Sequence, residues 1–290
     1  MTWDTLNFTE FTTPPSIPGT AVHSLSITNI TDLQAAIQDT SVDVVNWDGI
    51  YSDNTVIVDQ LANIAVDKTL YITGTGDLPP LKIINGSADR SLVIMDMTFG
   101  GDQPAGNRRI NMINAENVTL YNLDRSWQGQ ANNFIVMGNT RGQVTRNIKI
   151  HRGRWIGTQS SPNELAAVLY ASDCPTLDRD DYNANGAWPG EFDGIEIYDV
   201  HSTEVSDFVQ LQMTDGNVRH YTDKDYKNLH VKGCLIESPA GLSEDAFDVK
   251  GTSKLWENRA IIEHCIMRGY RAVSGGGAGA NGAAISGHTT

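Results

Sequence analysis

The sequence predicts an all-β solenoid closed at its N-terminal end by one short helix. Three observations carry this. After about residue 50 the chain is a series of short apolar runs separated by Gly, Asn and Asp, and the helical period does not return. Those runs recur in one register. The 290 residues, 40% hydrophobic and 19% charged, supply enough apolar material for a core, so general disorder is excluded.

Taken in order, residues 1–24 are rich in Thr and Pro and read as an extended arm. Thr31 with Gln34 three residues on makes a capping-box pattern, and Leu33, Ala36 and Ile37 share one helical face. A short apolar strand, 42–47, follows, then Asp48-Gly49 as a turn. Beyond it, Val118-Thr-Leu120, Ile148-Lys-Ile150, Ile195-Glu-Ile197, Leu229-His-Val231 and Ala260-Ile-Ile262 align as one strand, apolar at the first and third positions. The third positions are 30, 47, 34 and 31 residues apart, the long interval holding an insertion at about 172–190. A β-sandwich has strands at short spacing but no recurring register. A unit of this length made of strand and turn predicts coils that stack like residue above like. Three residues after the third positions come Leu123, Gly153, Val200, Cys234 and Cys265. Cys234 above Cys265 is read as two buried free thiols rather than a disulfide, and Cys174 adds no zinc-ligand spacing.

The capped helix running into Trp47-Asp-Gly-Ile-Tyr51, and repeats such as Asn228-Leu-His-Val-Lys-Gly-Cys-Leu-Ile236, resemble the right-handed parallel β-helix of the pectin-lyase-like superfamily. The likeness spans residues 25–290 as one domain and implies that the helix covers the open first coil. The far end carries a Gly-rich stretch, Gly275 to Gly282, and a strand-like Ala283 to His288, with no cap. That end is expected to be truncated, to continue into a further domain, or to be covered by partner chains, as in a homotrimer.

The segment singled out for chemistry is Leu242 to Thr252. Strand alternation with Phe247 and Val249 inward would set Glu244, Asp248 and Lys250 in one outward row, with Arg268 and Arg271 one coil later. Lys250-Gly-Thr252 is similar to the Lys-x-Ser of chondroitinase-B-like and alginate lyases. By that resemblance Lys250 is the base, Arg271 the carboxylate partner or acid with Arg268 beside it, and Glu244, Asp245 and Asp248 are Ca²⁺ ligands. His288 is the nearest histidine to this group and is taken with the substrate-binding residues. The chemistry is intelligible: a proton α to a carboxylate leaves only when the carboxylate charge is offset and the enolate-like intermediate stabilised. The alternative is a solvated, ion-paired strand face.

Asp207, on the preceding coil, is expected to join the same acidic groove. In the insertion, Asp181-x-Asn183-x-Asn185-Gly186 matches the first half of a Ca²⁺ loop, but Phe192 stands where the bidentate Glu should be. A looser Ca²⁺ site or an Asn/Asp surface turn remains. Trp155 and Trp188, with Trp127, fall in or beside predicted loops, where indoles stack on sugar faces or fill buried corners. His151, His201, His220, His230 and His264 have no ligand spacing and read as surface residues.

The net charge of −14 (21 Lys+Arg against 35 Asp+Glu) excludes a basic nucleic-acid footprint and repels a polyanion unless local cations reverse the sign. No apolar run is long enough to span a bilayer, and the first residues lack a leader pattern, which implies a removed leader or release by lysis. Sequons at Asn7, Asn29, Asn85 and Asn117 are near chance in so Asn- and Thr-rich a chain. The leading expectation is a polysaccharide lyase acting on an acidic glycan, extracellular or virion-associated. The rivals are a non-catalytic glycan-binding or structural β-helix (a tailspike-like protein or adhesin), and a glycoside hydrolase using paired carboxylates.

Overall fold

The computed structural model describes residues 10–19, 24–50, 52–61, 68–86, 91–99, 110–126, 134–139, 143–156, 167–172, 191–205, 207–212, 225–241, 243, 245–250, 260–270 and 285–288. Their strands form two sheets. Sheet A runs β1 (Ser24–Ile27), β2 (Val44–Trp47), β4 (Thr69–Thr73), β6 (Ser91–Phe99), β8 (Glu116–Ser126), β10 (Val144–Ile156), β12 (Glu191–Thr203), β14 (Asp225–Lys232), β17 (Ile261–Glu263). Beside its far end β15 (Leu235–Glu237) pairs with β12, and β18 (Ile266–Arg268) with β15. Sheet B runs β3 (Val56–Asp59), β5 (Leu81–Ile84), β7 (Ile110–Ile113), β9 (Ile135–Gly138), β11 (Ala167–Ser172), β13 (Asp207–Gln212), β16 (Asp245–Lys250), β19 (Ile285–His288). From β2 to β14 the chain alternates between the sheets, each strand pairing in parallel with the one laid down a circuit earlier. This all-parallel, all-β layout is compatible with a parallel β-helix or solenoid.

The expected register is the observed one. Ile148 pairs with Val118 and Ile195, Ile195 with Leu229, and Val231 with Ile262. The inward members of these strands, with Phe192 at the start of β12 and Phe208, Val209 and Phe247 from sheet B, join one continuous core. Parallel strands need such cover, because their sheets are stable only with the inner face kept from water. Cys234 and Cys265 lie on adjacent coils as free thiols, Cys234 buried and Cys265 half-buried. Burial pushes the Cys234 thiol up.

The corners of sheet A show why Asn and Asp punctuate the sequence. Just before the aligned triplets, Asn117, Asn147, Gly194 and Asn228 are left-handed; just after them, so are Asp96, Asn122, Arg152, Asp199, Gly233 and His264. Asn and Asp tolerate that conformation better than other side-chain-bearing residues. They also ladder between coils: Asn147 Nδ2 donates to Asn117 Oδ1 at 2.9 Å, and Asn122 Nδ2 to Asp96 Oδ1 at 2.7 Å.

The helix, α1 (Ile30–Gln38), buries Leu33, Ala36 and Ile37 as expected, but its N-cap is Asn29 rather than Thr31. Asn29 Oδ1 accepts from the Asp32 N–H at 2.9 Å. Gln34 does not turn back to the cap. Its side-chain amide donates to Ile57 O and accepts from Ile57 N–H, both at 2.8 Å, satisfying the free edge of β3. Asn29→Ala should therefore cost about 1 kcal/mol by thermal melting, the usual worth of an N-cap.

Candidate functional site

The outer face of sheet A gathers the titratable side chains. Two positions of each repeat point away from the core: the second of the triplet (Thr119, Lys149, Glu196, His230, Ile261) and the residue after the triplet (Tyr121, His151, Tyr198, Lys232, Glu263). Parallel coil stacking puts these residues on neighbouring strands, where adjacent and diagonal side chains meet.

Tyr198 is the centre. Its hydroxyl lies 2.6 Å from His230 Nδ1, and His230 Nε2 lies 3.0 Å from Glu263 Oε1. A carboxylate only accepts, so in the neutral ring Nε2 carries the hydrogen, and Nδ1 accepts from the phenol. The result is a Tyr–His–Glu relay. Burial, reinforced by Glu196 and Glu263, pushes the Tyr198 phenol up to about 12. Hydrogen bonds from Lys232 and then His230 hold Glu263 below the usual carboxylate value. On the other side His151 stacks on the Tyr198 ring, centroids 4.9 Å apart and planes at 6°. Its Nε2 lies 3.1 Å from Glu196 Oε2. Burial, opposed by Glu196, lowers the His151 imidazole from its ordinary value.

Glu196 and Lys149 also border a cleft of about 360 Å³ on this face, shared with Ser91, Asn117, Thr119 and Asn147. Neutral amides and hydroxyls, with one ammonium and one carboxylate 3.9 Å apart, suit a hydroxylated ligand. Strand β10 adds a basic stripe: Arg146 pairs with Glu116, Lys149 with Glu196, Arg152 with Glu10 and Arg154 with Asp124.

The residues singled out from sequence lie elsewhere. Asp207 pairs in register with Asp245, Gln210 with Asp248, and Lys250 with His288, all in sheet B. Phe247 is in the core as expected, but Asp248 is not on a solvated face: it is 4% exposed and accepts from Gln210 Nε2 at 3.2 Å. Asp207 and Asp245 are 1% and 2% exposed. They share the inward parity of Val209 and Phe247, so they do not line an open acidic groove. Among the described residues no three His, Cys, Asp or Glu side chains converge as metal ligands. These three carboxylates are buried within sheet B, and Asp248 is bonded to Gln210. Arg268 belongs to sheet A, where its guanidinium grips Glu237, itself 2.9 Å from His201 Nε2. Trp155 is no stacking platform: it is 1% exposed, on the inward side of β10, with its indole edge-on to Phe134 at 5.1 Å. Glu244, Arg271, Trp127, Trp188, Asp181, Asn183, Asn185, Cys174 and His220 lie outside the described residues, as do the side chains of Lys250 and His288.

The relay was legible in part. The alignment that identified the strands also contained Lys149, Glu196 and His230 as its middle members, and outward parity would have selected them. Comparison with protein-family models, curated proteins and solved structures finds no match for this chain.

Proposed function

We propose that this chain is a carbohydrate-active right-handed parallel β-helix of the pectin-lyase-like kind, cleaving an acidic polysaccharide by β-elimination on the outer face of sheet A. The supporting observation is the Tyr198–His230–Glu263 relay beside an amide-lined cleft. Tyr198 Oη takes the proton from the carbon α to the sugar carboxylate while its own proton passes to His230 Nδ1, and Glu263 neutralises the imidazolium. The electron pair released forms the double bond as the bond from the β carbon to the leaving oxygen breaks. That oxygen takes a proton from Tyr198, and His230 returns its proton to the phenol oxygen. The products are an alcohol and an unsaturated acid, and the protein regains its starting protonation state. Lys149, at the cleft, offsets the substrate carboxylate.

The four cations of β10 are each paired with a carboxylate, so an anionic substrate must compete with Glu116, Glu196, Glu10 and Asp124 for them, against an overall charge of −14. Such a substrate places the protein outside a cell or on a virion surface. Asp207 and Asp245, neighbours in sheet B, are too buried to flank a sugar from solvent, which disfavours them as a hydrolytic acid pair.

The test is an ultraviolet absorbance screen against alginate, pectate, chondroitin, dermatan and hyaluronan, with Ca²⁺ and then with chelator. Absorbance from the conjugated unsaturated acid is expected with one substrate and should survive chelation, because the proton path uses only side chains of this chain. New reducing ends without absorbance would replace elimination by hydrolysis. A flat trace with neither would leave a glycan-binding or structural β-helix.

A further inference from the structure

The N-terminal arm, residues 10–19, lies along the outer corner of sheet A rather than apart from the solenoid. The Phe11 N–H donates to Asp199 Oδ2 at 2.8 Å, and Asp199 is 3% exposed. Glu10 pairs with Arg152 at 3.3 Å, and Ser16 O accepts from the Tyr71 hydroxyl at 3.4 Å. From Asp199 on β12 to Tyr71 on β4 the arm spans several coils in a few residues, the reach of an extended chain held by Pro14 and Pro15. At its start the Phe11 ring lies 5.4 Å from the His264 ring and 4.4 Å from the Lys232 ammonium. Lys232 Nζ is in turn 3.1 Å from Glu263 Oε1, the oxygen that His230 also contacts.

Phe11, Lys232, Glu263, His230 and Tyr198 thus form an unbroken series of contacts from the arm to the phenol. We propose that the arm is a working part of the site: Phe11, as a positioning residue, clamps Lys232 against Glu263 and so fixes the carboxylate that orients His230. The ring attracts the ammonium through its electron-rich face, which restricts a side chain that would otherwise sample many rotamers. Gly233 makes room for the clamp. It is left-handed (φ 66°), and a Cβ there would come 2.6 Å from both the Phe11 ring and Asp199 Oδ1. The inference rests on the relay reading for its catalytic meaning, but the clamp itself is testable without turnover.

The groups facing Glu263 are Lys232 and His230 on β14, Tyr198 on β12, and His264 and Cys265 on its own coil. Lys232 is first among those holding its carboxyl low. The experiment is a carboxyl-carbon NMR titration of Glu263 in the full chain, with Phe11→Leu, Phe11→Tyr, Gly233→Ala and Lys232→Met. Phe11→Leu and Gly233→Ala should move the Glu263 midpoint up, in the direction of Lys232→Met, and abolish the ring-current shift of the Lys232 ε-methylene. Phe11→Tyr, which keeps the ring, should preserve both. Phe11→Leu combined with Lys232→Met should move the midpoint no further than Lys232→Met alone. If elimination is found, Phe11→Leu should also lower kcat roughly tenfold with little change in KM. A Glu263 midpoint unmoved by Phe11→Leu, or moved equally by Phe11→Tyr, would overturn the proposal. Absence of turnover with the midpoint moving as expected would count against elimination and leave the clamp standing.

Discussion

Tyr198→Phe is expected to lower kcat by roughly 10²- to 10⁴-fold, the usual worth of a positioned acid–base group. The substitution keeps the ring stacked on His151 and removes only the hydroxyl that meets His230. The loss of that one hydrogen bond should cost about 1 kcal/mol of stability, so the variant stays folded. His230→Gln is expected to lower the rate to a similar level, and the double variant no further, because the two residues move one proton between them. Full activity in Tyr198→Phe, with the product still absorbing in the ultraviolet, would remove the phenol from the mechanism.

The second large effect concerns stability. Gly74→Ala should destabilise the protein by roughly 3 kcal/mol, combining a strained backbone with an overpacked contact. Gly74 has φ 140°, and a Cβ there would lie 2.0 Å from the carbonyl oxygen of Trp47 on the preceding coil. That carbonyl accepts from the Gly76 N–H at 3.0 Å. The Trp47 indole N–H donates to Asp77 O at 2.8 Å, so a methyl at residue 74 pushes on the segment where β2 meets the turn after β4. Urea or thermal melts give the value; an alanine variant that unfolds with the wild type would show that the coils can move apart without cost.

The helix cap illustrates how far local pattern reaches. Asn29 with Asp32 and Thr31 with Gln34 have the same spacing, and either pair makes a cap from sequence. What separates them is Ile57, 23 residues beyond Gln34, whose backbone the Gln34 amide takes up instead. Asp248 is a second case. Alternation set it opposite Phe247, correctly, but the neighbouring strand supplies Gln210 to meet it, and both faces of β16 are covered. Local pattern sets Trp155 beside a loop, whereas it continues β10 on its inward side.

The sequence by itself determined the repeat and its register, because these are one-dimensional demands. Every coil must place apolar residues at alternate positions of the same strand, and the left-handed corners are filled mostly by Asn, Asp and Gly, with Arg152 and His264 at two of them. The outer face was decided by the tertiary structure. Tyr198 and His230 are 32 residues apart, and His230 and Glu263 are 33. Solvent tolerates almost any polar residue on that face, so parity marks His230 as outward but does not mark these three as partners. Only the stacking of coils, with each strand in register beside the last, brings a phenol, an imidazole and a carboxylate into hydrogen-bonding distance.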